Sequence, residues 1–115
     1  MIRYVGPLAD VDRIMADAES EGREVHLVRA HATKSATLDA FAVALDFPAW
    51  FGGNLDALAD CLHHLARHAE GEWELVVDEV AALGAEDPFA LAALQGVLGE
   101  VALAHPRFHV TVVDR

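Results

Sequence analysis

Hydrophobic and polar positions follow two periodicities along the chain, and their order predicts the secondary structure. Three short runs rich in β-branched residues predict strands; they cover residues 23–30, 73–77 and 108–113. Between and before them, apolar side chains recur every three or four residues, which predicts amphipathic helices; these cover residues 33–46, 54–69 and 86–104. Because no short hairpin turn joins the strands, we expect crossover connections, hence an α/β fold with a small three-stranded parallel sheet packed against helices.

The first 22 residues precede this alternation and are predicted to form an N-terminal extension. Residues 10–21 combine good helix formers with apolar side chains at helical spacing, and Gly22 suits a helix C-cap. The first five residues include a short β-prone run that a Gly-Pro pair would end. The predicted organisation is therefore a helical extension over residues 1–22, followed by one domain over residues 23–115.

The segment from Phe47 to Leu62 is predicted to be an aromatic, glycine-bearing loop that leads into a helix. Pro48 disfavours helical backbone in the residue before it, so the preceding helix should end there. Gly52 and Gly53 permit a tight turn. Asn54 is a preferred N-cap residue, because its side-chain oxygen can accept a free backbone N–H of the first helical turn.

Two carboxylates on this helix lack a local counter-charge. Asp56 and Asp60 are four residues apart, so they lie on one helix face and repel each other by roughly 0.2–0.5 kcal/mol. No Lys or Arg occurs between Lys34 and Arg67 to offset them. Two aromatic residues lie just before the helix. The pattern predicts a surface that binds a cationic group of a partner.

A pair of acidic residues is also compatible with catalysis. Paired carboxylates act as general acid and base when their environments separate their pKa values. No nucleophile with its base and no phosphate-binding glycine loop accompanies Asp56 and Asp60. We therefore assign no catalytic residue and expect the protein not to be an enzyme, which leaves catalysis the least favoured alternative.

A metal site is also not expected. His64 and His68 are spaced i, i+4 on the predicted helix, but a structural zinc site needs about four ligands. No HExxH sequence and no cysteine cluster completes such a set. We expect the histidines on the helix surface, where their titration would make partner binding sensitive to pH. No cofactor is predicted.

Composition indicates the class of partner and the cellular compartment. The 115 residues carry a net charge of −11, which argues against nucleic acid as a partner and favours steering of a cationic protein. A membrane-spanning helix needs about 18 consecutive apolar residues, and no apolar run in the chain approaches that length. The N-terminus lacks a long apolar secretory segment, and a single cysteine suits a reducing compartment. We therefore expect a cytoplasmic protein that does not contact membranes.

The thirteen residues from Trp50 to Leu62 resemble the barstar family of intracellular ribonuclease inhibitors. They meet the pattern aromatic–aromatic–Gly–x–Asn–Leu–Asp–x–Leu–x–Asp–Cys–Leu, whereas elsewhere the resemblance lies in the order of elements. The resemblance implies a three-stranded parallel sheet packed against helices, as the spacing does. It also implies that Asp56 and Asp60 occupy a nuclease active site, where they take the place of substrate phosphate.

The resemblance and the loop chemistry together assign a partner-binding surface. Trp50 is expected to anchor the partner and Phe51 mainly to pack, while Glu100 aligns loosely with a family glutamate on the last helix. The whole predicted surface comprises Trp50, Phe51, Gly52, Gly53, Asn54, Asp56, Ala59, Asp60, His64 and Glu100.

Some of these positions depart from the family pattern. The family has an acidic residue at Gly53, a tryptophan at Ala59, and a Gly-Trp pair at His64-Leu65. Such positions set specificity, so the identity of the partner stays open. We expect a monomeric immunity or antitoxin protein that forms a one-to-one complex with a basic, extracellular-type ribonuclease. The alternative is a barstar-like binding module or immunity protein for a non-ribonuclease toxin or another basic protein.

Overall fold

The computed structural model describes residues 1–115 and contains four strands and five helices. The strands are β1 (Ile2–Val5), β2 (Glu24–Arg29), β3 (Trp73–Asp78) and β4 (Phe108–Val113). The helices are α1 (Val11–Ser20), α2 (Lys34–Ala44), α3 (Leu55–His68), α4 (Ala81–Glu86) and α5 (Pro88–Ala104). The predicted α/β class is confirmed.

The sheet has four parallel strands in the order β1-β4-β3-β2, so the prediction of three strands is wrong. The additional strand is β1, which pairs with β4 in a register that runs from Ile2 opposite Val110 to Val5 opposite Val113. Four residues before a Gly-Pro pair give too little periodicity to indicate this pairing. The long-range partner, rather than the local sequence, makes them a strand. The division of the chain at residue 22 stays a prediction.

Helices cover both faces of the sheet. On one face, α2, α3, α4 and α5 close over the main core, a cluster of 20 buried residues. On the other face, α1 covers a smaller cluster around Val11, Val76 and Val113. β3 is buried along its whole length, which agrees with its nearly continuous apolar sequence.

A polar network ties β1 to the central strands on the α1 face. Glu74 of β3 is only 2% exposed, and its Oε1 atom accepts a hydrogen bond from Thr111 Oγ1 at 3.0 Å. The Nε atom of Arg3 donates to the same hydroxyl at 2.8 Å, and its Nη2 atom lies 3.8 Å from Glu74 Oε1. The network gives the buried carboxylate a cation and a donor, which it needs because an unpaired buried charge is costly.

The short helix α4 was not predicted from the sequence. It spans six residues, too few to show a helical period, and it contains Gly84, which lowers helix propensity. Leu83 is buried in the main core and explains why the segment is helical in the folded chain. None of the five helices has the length and apolar character that crossing a membrane requires.

Candidate functional site

The end of α2 directs the chain into the loop that precedes α3. The N–H of Phe47 donates to the Ala42 carbonyl at 2.9 Å, and the N–H of Asp46 donates to the Val43 carbonyl at 3.4 Å. These are the two bonds of a Schellman cap, whose residue after the C-cap takes a left-handed conformation. Here that residue is Asp46, with a φ of 51°. The cap turns the backbone sharply and sends Phe47 back toward the core.

The two aromatic residues of the loop have different surroundings. Phe51 is half-buried, packs on the main core, and has its ring centroid 5.0 Å from that of Phe47. Trp50 is 73% exposed. The N–H of Phe51 donates to the Pro48 carbonyl at 2.9 Å, which closes a turn that separates the two side chains. An exposed indole is held next to an anchored phenyl ring.

The loop enters α3 through a turn and a side-chain cap. Gly53 has a φ of 67°, a left-handed conformation that glycine adopts without a Cβ clash. The Oδ1 atom of Asn54 accepts a hydrogen bond from the Ala57 N–H at 2.8 Å. Gly52, Gly53 and Asn54 are all exposed, and they fix the start of α3.

Helix α3 buries one side and presents its acidic residues on the other. Leu58, Cys61 and Leu62 lie in the interior. Asp56 and Asp60 are exposed, and neither carboxylate makes a hydrogen bond or an ion pair within the chain. Both are free to pair with a cation that a partner supplies.

Charge and burial at Cys61 argue against a reactive thiol. The side chain is 4% exposed, and this burial, followed by the negative charge of Asp60, raises its pKa above the ordinary value. A thiolate is the nucleophilic form of cysteine, so a raised pKa keeps the group unreactive at neutral pH. Cys61 therefore acts as a small buried apolar residue.

Glu100 lies near α3, beside a contact between two histidines that the sequence did not indicate. Its Oε1 atom lies 3.8 Å from Nε2 of His63 on α3. The Nδ1 atom of His63 lies 2.9 Å from Nε2 of His105, at the end of α5. Burial, followed by the positive charges of His63 and Arg67, lowers the pKa of His105. The two histidines are 42 positions apart, and no local spacing reveals such a contact.

The remaining predicted residues lie on α3. Ala59 is half-buried, one residue before Asp60, and its methyl group leaves that part of the helix without a large side chain. His64 is exposed, and its ring centroid is 4.4 Å from that of His68. No group of three or more His, Cys, Asp or Glu side chains has an arrangement that would hold a metal ion.

These placements define an acidic face, which consists of Asp56 and Asp60 with the exposed indole of Trp50 on the preceding loop. Carboxylates on a rigid helix can accept paired hydrogen bonds from a guanidinium or ammonium group. An exposed indole on the loop that precedes the helix can contribute apolar contact area and cation–π attraction. The arrangement is suited to binding a positively charged surface.

Comparison with known proteins identifies the family of the chain. Residues 22–114 match the model of the family described as Barstar (barnase inhibitor). A search of curated proteins finds no match to the chain. The matched range contains all of the acidic face and the strands β2, β3 and β4, whereas β1 and α1 lie outside it. The resemblance of residues 50–62 is thereby confirmed, and the chain belongs to the barstar family.

Proposed function

We propose that the protein inhibits a basic ribonuclease by binding across its active site. The observation that carries this proposal is the pair of unpartnered, exposed carboxylates, Asp56 and Asp60, on a helix matched to a family of barnase inhibitors. A folded protein that pairs its buried carboxylates with its own arginines leaves these two without a partner. They are available to a second protein.

In the proposed complex the two carboxylates take the place of substrate phosphate. A ribonuclease holds phosphate with Arg, Lys and His side chains, and the planar guanidinium of arginine pairs with a carboxylate through two parallel hydrogen bonds. Asp56 and Asp60 project from adjacent turns of one helix, so two cationic groups can be engaged at once. Trp50 supplies the apolar anchor that interface hot spots commonly contain.

The charge of the whole chain supports rapid association with such a partner. The net charge is −11, and eight acidic residues but no Lys or Arg occur between Arg67 and Arg107. A field of one sign steers an oppositely charged protein and raises its association rate. We propose a one-to-one complex with a monomeric inhibitor of the immunity or antitoxin type, acting in the cytoplasm and without enzymatic activity.

The proposal is tested by removing each carboxylate charge and measuring inhibition of barnase in an RNA-cleavage assay. Asp56→Asn and Asp60→Asn should each weaken inhibition by about 30-fold or more, because loss of one partner of a desolvated charge pair costs about 2–5 kcal/mol. The measurements that give this range include complexes of barnase with an inhibitor of this family. Asp39→Asn is the matched control, since Asp39 is exposed on α2 and unpaired.

Inhibition that is unchanged in both Asp56→Asn and Asp60→Asn would show that the carboxylates do not engage the nuclease. Equal loss in Asp39→Asn would point to general charge rather than to the acidic face. Circular dichroism of each variant separates a loss of binding from a loss of folding.

A second candidate keeps the surface and changes the partner. Gly53 is exposed and Ala59 is half-buried with a methyl side chain, so the face lacks the acidic and aromatic side chains that the family pattern has there. The same carboxylates would then bind a basic toxin that is not a ribonuclease. Tight binding to such a toxin, together with uninhibited barnase, would favour this candidate.

A further inference from the structure

An apolar groove lies beside the acidic face, between the loop after α2 and the middle of α3. Its volume is about 410 Å³. The apolar lining comes from both elements and consists of Leu45, Phe47, Pro48, Trp50, Cys61 and Leu65. The two polar residues that line it are Asp46 and His64. We call this depression the Trp50 groove.

The charge at the groove is negative and uncompensated. Asp46 is exposed, held in its left-handed conformation by the cap of α2, and makes no ion pair or side-chain hydrogen bond. Asp60 also has no hydrogen bond or ion pair within the chain, and it precedes the groove residue Cys61 in the sequence. No Lys or Arg lines the groove. A bound group that carries positive charge would therefore meet no Lys or Arg of this chain there.

This combination selects one side chain among the possible occupants. An anion would be repelled by Asp46, and a purely apolar group would take water from that carboxylate without replacing its hydrogen bonds. Arginine fits the apolar lining, the exposed indole and the carboxylate of the groove together. Its aliphatic stem covers apolar surface, while its guanidinium stacks on an aromatic face and pairs with a carboxylate. Trp is the most favourable aromatic partner for a cation.

We infer that the Trp50 groove binds one arginine side chain of the partner protein. Its stem would lie along Leu65, and its guanidinium would stack on Trp50 and pair with Asp46. The inference rests on the proposed function for the source of the arginine. It adds to that function a second subsite, which shares Trp50 with the acidic face but does not include Asp56.

The subsite can be tested without any nuclease by nuclear magnetic resonance. N-acetyl-arginine-methylamide is titrated into the protein while the indole N–H resonances are followed, with the citrulline analogue as the uncharged isostere. The chain has two tryptophans, and the second is an internal control: Trp73 is 7% exposed and donates its indole N–H to Glu24 Oε2 at 2.7 Å.

The arginine compound should shift the Trp50 resonance in a saturable manner, and the citrulline compound should shift it far less. Trp73 should stay unchanged. Asp46→Asn should weaken the arginine effect by up to about fivefold, the upper end of the range for one exposed charge pair. Asparagine tolerates the left-handed conformation at this position, so the cap of α2 is kept. Asp39→Asn should leave the titration unaltered.

No shift at Trp50, or equal shifts from arginine and citrulline, would overturn the inference. The same variants in the barnase inhibition assay separate the two proposals. Inhibition that depends on Asp60 but not on Asp46 would remove the subsite and leave the inhibitor. Arginine binding without inhibition of barnase would remove the proposed function alone.

Discussion

The two carboxylates of the acidic face repel each other, which slightly destabilises the free protein. Asp56 lies in the first turn of α3, where the helix dipole favours a negative charge, but Asp60 lies beyond that turn. Neither carboxylate has a cation within the chain. By contrast, the buried carboxylate of Asp78 receives two hydrogen bonds from Arg115, at 2.8 and 2.7 Å, which lower its pKa. The buried carboxylate of Asp78 is paired within the chain, whereas the two exposed carboxylates on α3 are not.

Removing the charge of Asp60 should therefore stabilise the free protein while it weakens binding. We expect Asp60→Asn to raise the free energy of unfolding by about 0.2–0.5 kcal/mol, since it relieves an i, i+4 repulsion. Urea unfolding at low salt measures the change, with Asp39→Asn as the control for net charge. A clear loss of stability in Asp60→Asn would mean that the carboxylate supports the fold rather than a partner.

At this scale the sequence predicted what depends on local spacing. The repulsion between Asp56 and Asp60 can be read from their separation, and Asn54 can be identified as the N-cap from its place before an apolar period. Asp46 could not be assigned to the site, because its position depends on a left-handed cap that the sequence does not specify. The pairing of His63 with His105 could not be found either, since it joins two distant helices.

The elements position the site through the contact between α3 and α5. This contact contains the histidine pair, with the carboxylate of Glu100 near His63 and the positive charge of Arg67 acting on His105. His105 has a lowered pKa in the folded chain, whereas an unfolded histidine titrates near 6.5. As the pH falls through about 6.5, the unfolded chain takes up the proton first, which destabilises the folded state.

We accordingly expect the stability of the protein to decrease between about pH 7.5 and 5.5, and His105→Gln to reduce that decrease. The loss should stop below the folded pKa of His105, where both states are protonated. The free energy of unfolding at the two pH values, measured by urea titration, tests this. Identical pH dependence in the wild type and in His105→Gln would contradict the assignment, and His31→Gln, at an exposed residue before α2, is the control.

Elements with a long apolar period were predictable, and those defined by distant partners were not. The spacing in α2, α3 and α5 indicates each helix, and the proline and cap residues mark their ends. β1 escaped prediction as a fourth strand because its four residues become a strand only through pairing with β4. α4 was not predicted because the main evidence for it is the burial of Leu83, which is visible only in the folded structure.

At the scale of the whole molecule, most of the fold lies within the residues matched to the family, and β1 and α1 are added to it. The matched residues 22–114 supply three strands and the helices on the main core. β1 adds a strand at the β4 edge, and α1 covers the opposite face. The acidic face lies entirely on the matched part, while Arg3 of β1 completes the network around Glu74.

The most direct test of the central claim is a calorimetric titration of the intact protein with barnase at low and high salt, alongside an RNA-cleavage assay. We predict one-to-one binding, loss of cleavage, and weaker binding at high salt, because salt screens attraction between a chain of net charge −11 and a basic enzyme. Absence of binding at both salt concentrations, or binding that leaves cleavage intact, would contradict inhibition through the acidic face.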